Sequence, residues 1–303
     1  MTIRHLAPLA LILAFAACSG NSLNNGTPPV PDDGGSTTVD AAVAVNLRAI
    51  SYNPSGEGTL SVDMDGLVAS PQVAAFVRRA DLDIAGYRAF SYQETGLQRT
   101  HLAFVSNNER GNLQAGAVAD GGQFNRHFGG GTYARIDSFS RPSLGTGVET
   151  GQFSYAGTYA GVFVSGDATN PNLPAGLTPY QPLRVRGTAL INANFANDLV
   201  NGGVSDRVVL DDMGNVVMDL REISFPVTEI DADGRFVGDV EFFGPPGGRI
   251  GTVGGAFGGI GATDIAGALV INPIEGEPGI WEYGTFNLPR CDTAGAAPLC
   301  LPR

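Results

Sequence analysis

The sequence predicts an all-β protein whose second half closes into an antiparallel barrel, on three observations. Gly accounts for 43 of the 303 residues, roughly twice ordinary usage and without a collagen-like period, so the excess belongs in turns, bulges and close-packed strands. Segment after segment from residue 151 alternates with period two, as strands with one buried face do. Asp, Asn and Gly punctuate those segments where hairpins need positive φ or side-chain-capped turns. Composition also bounds the partners. The formal net charge is −12 and the 18 basic residues are all Arg, scattered along the chain. No basic stripe is available to a phosphate backbone, so nucleic acid is not an expected partner. A chain without Lys has no Schiff-base chemistry, no Walker-type phosphate loop and no Ser-Lys catalysis.

The first element is an export signal, residues 1–17. Arg4 and His5 precede an apolar run from Leu6 to Ala17 broken only by Pro8. That run is too short to span a bilayer as a mature helix, and its basic start and small residues directly before Cys18 match a lipoprotein signal. Cleavage makes Cys18 the first residue, with lipid on its thiol and its amine; several buried acyl chains hold firmly where one is marginal. A membrane, met through that lipid anchor, is therefore an expected partner. The expected location is the outer membrane, facing the cell surface or, alternatively, the periplasm. Residues 18–40 are polar and rich in Gly, Pro, Asn and Ser, with almost nothing to bury, and read as a disordered tether.

Residues 41–148 read as a smaller β-rich domain. VAVNLRAISY and TLSVDMDGLV supply its first strands, the second with Leu60, Val62 and Met64 alternating. GYRAFSYQETGLQRTHLAFVSN at 86–107 gives two strands around Thr95 and Gly96, and NLQAGAVA at 112–119 another. SPQVAAFVRRADLD at 70–83 reads as the one short helix, with Ser70 as N-cap and Pro71 at the first helical position. The domain ends in the turn-rich stretch Ser138 to Thr150.

Residues 149–290 carry the barrel. In GQFSYAGTYAGVFVS at 151–165, Phe153, Tyr155, Gly157, Tyr159, Gly161 and Phe163 share one side. Large rings then fit over missing side chains, as where a sheet curls tightly. From Leu183 to Phe195, Val185, Ala189, Ile191, Ala193 and Phe195 alternate with Arg184, Arg186, Thr188, Asn192 and Asn194, one face apolar and one wet. RVVL at 207–210 and VVMDL at 216–220 flank Asp211–Asn215, and VTEI at 227–230 and RFVGDVEFF at 235–243 flank Asp231–Gly234; each pair reads as strand, tight turn, strand. With 254–271 and 279–288 these make seven or eight strands at short, regular spacing, which suits a closed antiparallel barrel. Several are shorter than a membrane-spanning strand and Asn and Asp interrupt them, so the barrel is expected to be soluble.

Five of these stretches carry a family resemblance: YAGTYAGVFVSGD from Tyr155, FANDLVNGGVSD at 195–206, RFVGDVEFFG at 235–244, GGAFGGIGATDIAGAL at 254–269 and EYGTFN at 282–287. Together they resemble the C-terminal barrel of transferrin-binding-protein-B-like surface lipoproteins, the Slam-dependent type. The resemblance covers about 150 to 290, and its most specific part is Phe257, Gly258, Gly259, Ala262, Ile265, Ala266 and Gly267. It implies a soluble eight-stranded antiparallel barrel preceded by a handle-like β-rich domain. Those residues correspond to packing and turn positions, so it implies a fold and no chemistry.

The tail, 291–303, holds Cys291 and Cys300. With Cys18 acylated, these two thiols are left in an oxidising compartment and are expected to form a disulfide. No metal or cofactor is expected: the mature chain has only His101 and His127 as imidazoles. Gly129–Ala134 fits the pattern G-x-G-x-x-A, but a Pro-containing stretch follows it where a dinucleotide site needs a helix, so it reads as a glycine turn. Asp231–Gly234 lacks the Gly and Glu an EF-hand needs further on and reads as a hairpin turn. His101 is placed on the more polar face of its strand, beside Arg99. Trp281 and Tyr283 read as barrel core or closure residues. Arg126, His127 and Phe128 form a polar and aromatic stretch of the types that dominate binding hot spots and are the candidate ligand-binding residues. The expected function is non-enzymatic binding of a protein or nutrient ligand through barrel and handle loops; the alternative is a structural envelope lipoprotein with no specific ligand.

Overall fold

The computed structural model describes residues 39–67, 72–108, 112–122, 126–145, 150–165, 177, 180–245, 247–271 and 280–300. The expected signal 1–17, the acylated Cys18 and the tether up to residue 38 lie outside the described residues, as do Ser70 and Pro71.

The chain forms two antiparallel sheets in sequence order. The first is a seven-stranded meander of β1 (Leu47–Asn53), β2 (Thr59–Met64), β3 (Val73–Arg78), β4 (Arg88–Tyr92), β5 (His101–Asn107), β6 (Leu113–Asp120) and β7 (Gly129–Arg135). It nearly closes on itself, because the amide of Asn46, just ahead of β1, donates to the carbonyl of Gly129 at 3.1 Å. A single helical turn, α1 (Ala41–Ala44), precedes it; the Asp40 carboxylate accepts from the Ala42 amide at 2.8 Å and caps that turn.

Two expectations for this half are corrected. The segment 70–83 is not a helix: β3 runs through it, with Ala74 and Phe76 buried and Val77 66% exposed, and Phe76 pairs with Leu60. A period-two pattern bounded by the β-branched Val73 and Val77 outweighs a cap signal once a neighbouring strand offers a ladder. Only a 3-10 turn, Ala80–Leu82, stays helical. The glycines of Gly129–Ala134 likewise form strand β7, not a turn. Their missing side chains let β7 lie on the barrel: a Cβ at Gly129 would sit 2.6 Å from the Tyr283 ring.

The second sheet contains β8 (Gln152–Ser165), β9 (Pro182–Asn194), β10 (Leu199–Leu210), β11 (Val216–Asp219), β12 (Ile223–Glu229), β13 (Arg235–Phe242), β14 (Arg249–Gly258), β15 (Asp264–Ile271) and β16 (Ile280–Pro289). Pairing runs β9–β10–β12–β13–β14–β15–β16–β8 and back to β9, so eight strands close a barrel, and the short β11 pairs with the end of β10. Asp211 and Asp231 hold the expected hairpins. Each carboxylate accepts two backbone amides: Met213 and Asn215 at 2.9 and 2.8 Å, Asp233 and Arg235 at 2.9 and 2.8 Å. Pro226 is tolerated inside β12 because pairing skips from Val200–Thr228 to Gly202–Phe225, leaving an extra residue there.

The barrel is filled. Tyr155, Tyr159 and Phe163 of β8 point inward with Val185, Ile191, Phe195, Phe257 and Phe286, and Phe195 meets Phe257 edge-on at 5.0 Å. A Cβ at Gly267 would fall on the Phe286 ring, and one at Gly284 on the Tyr159 ring, so rings do occupy the space glycines leave. The outer face of β8 is dry toward its end: Ala160, Val162 and Val164 pack on Leu102, Phe104, Ala117 and Ala119 of the first sheet. Tyr283 points outward into that seam, with Trp281 packed against it. This corrects their assignment to the barrel core, since alternation puts Glu282, Gly284 and Phe286 inside instead. Arg135 ties the sheets together. It is 2% exposed, donates to the carbonyls of Asp137, Asp233 and Phe257 at 2.8, 2.8 and 3.0 Å, and stacks over Phe139.

Candidate functional site

The two ends of the barrel differ. At the end where β9 and β14 finish, Phe139 covers the rim 6.3 Å from Phe195, and Ser140 Oγ accepts from the Gly261 amide at 3.0 Å. Arg290 donates to the Gly261 carbonyl at 2.6 Å and lies over the Phe153 ring. Cys291, whose amide donates to the Ser154 carbonyl, is disulfide-bonded to Cys300. Linker and tail thus seal this end.

At the opposite end, where β8 finishes and β16 begins, the β6–β7 loop of the first sheet reaches the barrel. Asp120, fully buried at the end of β6, pins both sides of that loop. Its Oδ1 accepts the amides of Gly122 and Phe128 at 3.1 and 3.0 Å, and its Oδ2 accepts from Arg99 at 2.5 Å. The Arg99 guanidinium stacks over Phe128, 4.9 Å from the ring centre. A Cβ at Gly121 would overlap the Tyr180 carbonyl, so the backbone at Tyr180, just ahead of β9, is in contact with Gly121.

Within that frame the three sequence candidates take different places. Arg126 is exposed. The His127 ring lies 6.1 Å from Trp281 across the seam. Burial pushes its pKa down, with Asp120 opposing and Arg99 reinforcing the shift. Phe128 is partly buried against the first-sheet core. The loop therefore brings the His127 imidazole against the Trp281 indole at the start of β16, next in sequence to an exposed Arg126 and backed by the buried Asp120 carboxylate.

His101, expected on a polar face, is 2% exposed, with Phe76 and Tyr92 rings 6.2 and 5.9 Å away. Both faces of β5 are covered, one by its own sheet and one by the barrel, so neither is wet. Its ring nitrogens make no hydrogen bond of good geometry; the backbone at Tyr92 and Arg99 lies close enough to favour the charged ring weakly, but burial dominates and lowers its pKa to about 4. No geometry there activates a nucleophile. Among the described residues, no group of three or more His, Cys, Asp and Glu side chains has metal-holding geometry.

The sequence reading missed two features. One is the buried set of Tyr159, Glu282 and Arg207 within the barrel: Tyr159 Oη donates to Glu282 Oε1 at 2.6 Å, and Arg207 pairs with Oε2. The parity of Glu282 with Gly284 and Phe286 was the available signal. The other is a cleft of about 250 Å³ between the sheets, lined by Tyr87, Ser106, Asn107, Thr158, Asp264 and Asn287. Tyr87 braces it, donating to the Thr158 carbonyl at 2.8 Å and accepting from the Asn287 amide at 2.9 Å. Contacts between residues so distant in sequence leave no local pattern.

No family model and no curated protein matches the chain. Among solved structures it is similar to a double mutant of Transferrin Binding Protein B from Haemophilus parasuis, at 12% identity and a TM-score of 0.40 over 72% of this chain and 39% of that one. It is also similar to intact Ap-TbpB, with N and C lobes, at 14% identity and a TM-score of 0.37 over 69% of this chain and 39% of that one. A third similar structure is isotype 1 Transferrin binding protein B from serogroup B Neisseria meningitidis, at 14% identity and a TM-score of 0.34 over 69% and 36%. The chain thus spans about two fifths of the length of the first of these proteins.

Proposed function

We propose that this protein is a non-enzymatic lipoprotein, anchored in the bacterial outer membrane through Cys18, that binds a protein or nutrient-complex ligand at the rim shared by the two sheets. The observation that carries the reading is the apposition of His127 and Trp281 at 6.1 Å. It joins a loop of the first sheet to the start of a barrel strand, so that both sheets contribute to one face. Arg126 is the exposed charged contact. His127 and Phe128 hold the loop shape, and Asp120 and Arg99 fix it from below. Rigid aromatic groups beside an Arg lose little entropy on binding, which is why such residues dominate interfaces.

The test is retention of a partner. Full-length protein, immobilised and offered host or environmental protein extracts at about 0.15 M salt, is expected to retain one partner that Arg126→Ala and Trp281→Ala variants with unchanged melting fail to retain. Equal retention by the variants overturns the rim assignment. No retained partner, together with an envelope defect on deletion, establishes the structural alternative instead.

A further inference from the structure

A third surface lies on the outer wall of the barrel near its sealed end, away from the rim. There β8, β9 and β10 lie side by side, and their register sets two rows of outward side chains. Ser154 pairs with Asn192 and Asn192 with Asn201; one step along, Gln152 pairs with Asn194 and Asn194 with Leu199. Rows are roughly 4.8 Å apart between strands and about 6.8 Å along them. With Asn197 of the β9–β10 turn they line a depression of about 280 Å³.

Two features need a reason. Asn is disfavoured in strands, yet Asn192 and Asn201 stand exposed at paired positions inside β9 and β10. Asn194 is explained locally, since its Oδ1 accepts the Ala196 amide at 2.9 Å and shapes the turn. Asn192 and Asn201 shape no turn; they join a short ladder in which Ser154 Oγ donates to Asn192 Oδ1 at 2.7 Å and Asn192 Nδ2 reaches Asn201 Oδ1 at 3.5 Å. The second feature is charge. In a chain of net −12, no charged side chain lines this depression.

We propose that this wall binds a neutral saccharide. A carboxamide offers two donors and an acceptor on one plane, which matches the paired donor and acceptor roles of neighbouring sugar hydroxyls. The ladder orients Asn192 and Asn201 while leaving Asn201 both its donors. Gln152 and Asn197 add two further carboxamides to the lining. Val227, 60% exposed, and Leu199 give the apolar floor that the C–H face of a pyranose needs. With no cationic side chain in its lining, the depression offers no counter-charge to phosphates or sialylated glycans, whose desolvation would go uncompensated. The volume is just below that of drug-sized pockets and suits one or two sugar rings.

The experiment titrates the full-length protein with a panel of neutral monosaccharides and disaccharides of glucose, galactose, mannose and N-acetylglucosamine, and with sialic acid and glucuronic acid as acidic sugars, up to about 20 mM, where a millimolar site is largely filled. The readout is side-chain carboxamide resonances. A saturable shift of the Asn192, Asn201, Gln152 and Asn197 carboxamides with at least one neutral sugar is expected, unchanged when salt is raised, weakened about tenfold or more, as read from Gln152 and Asn197, in Asn192→Ala/Asn201→Ala, and unaltered in Arg126→Ala. The double variant alters two exposed positions and is checked for unchanged melting. Absence of any shift across the panel, equal affinity of the double variant, or binding only of acidic sugars with loss in salt each overturns the proposal.

Discussion

Tyr159 on β8 donates its phenol hydrogen to Glu282 on β16 across 2.6 Å, and the other oxygen of that carboxylate holds Arg207 of β10. Three strands of the ring are joined through the middle of the barrel by one carboxylate that is 3% exposed. Burial, followed by the Glu282 charge, raises the Tyr159 pKa well above the ordinary phenol value, so Tyr159 remains a donor throughout the physiological range. Removing one partner from such a pair leaves an uncompensated buried charge. Glu282→Gln is therefore expected to destabilise the chain by about 3–5 kcal/mol, and replacing the pair together, Glu282→Leu with Arg207→Met, to cost less than either single change. Denaturant midpoints measure both; a double variant costing the full sum of the two singles would contradict the pairing.

His101 makes the first sheet sensitive to acid. Its folded pKa, about 4, lies below the ordinary value of 6.5, so folding favours the neutral ring. This contribution is fully present above pH 6.5 and is lost as pH falls from 6.5 through 4. The shift corresponds to about 3 kcal/mol in all. Asp120 draws the pKa up and Arg99 pushes it down, both more weakly than burial. Compared with the parent, His101→Phe should lose less stability between pH 7 and pH 4.5; parallel pH profiles of the two proteins would disprove the assignment.

Arg135 is expected to carry the union of the two sheets. Arg135→Met keeps most of the stem but strands the carbonyls of Asp233 and Phe257 without their donor, at a cost of about 2–4 kcal/mol. Protease cleavage in the linker after β7 should accelerate accordingly. Unchanged cleavage would show that the apolar seam alone suffices.

The ring-over-glycine packing is tested by Gly284→Ala. A Cβ there meets the Tyr159 ring, and the ring cannot withdraw without leaving Glu282. A loss of about 2–3 kcal/mol is expected, against a few tenths for Gly247→Ala, where the nearest atom is the end of the Glu241 side chain at 3.4 Å. Thermal unfolding of the two variants side by side gives the comparison.

Legibility in the sequence followed how local the cause was. The inward face of β8 and the turns at Asp211 and Asp231 were readable because alternation and Asx capping act within a few residues. Cys291 and Cys300 were readable as a pair because no third thiol competes when Cys18 is assigned to the expected lipid anchor. β3 was misread because Ser70 and Pro71 imitate a helix start, while the evidence against them, pairing with β2, is tertiary. The glycines of β7, the outward turn of Tyr283 and the burial of His101 all come from one event, the docking of the first sheet on the barrel. A charge such as Glu282 reads as solvated until its partner, 75 positions away in the chain, is known to face it. At the site, Arg126, His127 and Phe128 were recognisable by residue type, but Asp120, Arg99 and Trp281, which frame them, were not.

Brief protease treatment of intact cells producing the full chain tests the central claim, that the protein displays its shared rim outside the cell on a lipid tether. The account predicts that the protein is released or degraded while a periplasmic control stays whole, and that Cys18→Ser abolishes its exposure to the protease. Full protection until the outer membrane is permeabilised would contradict it.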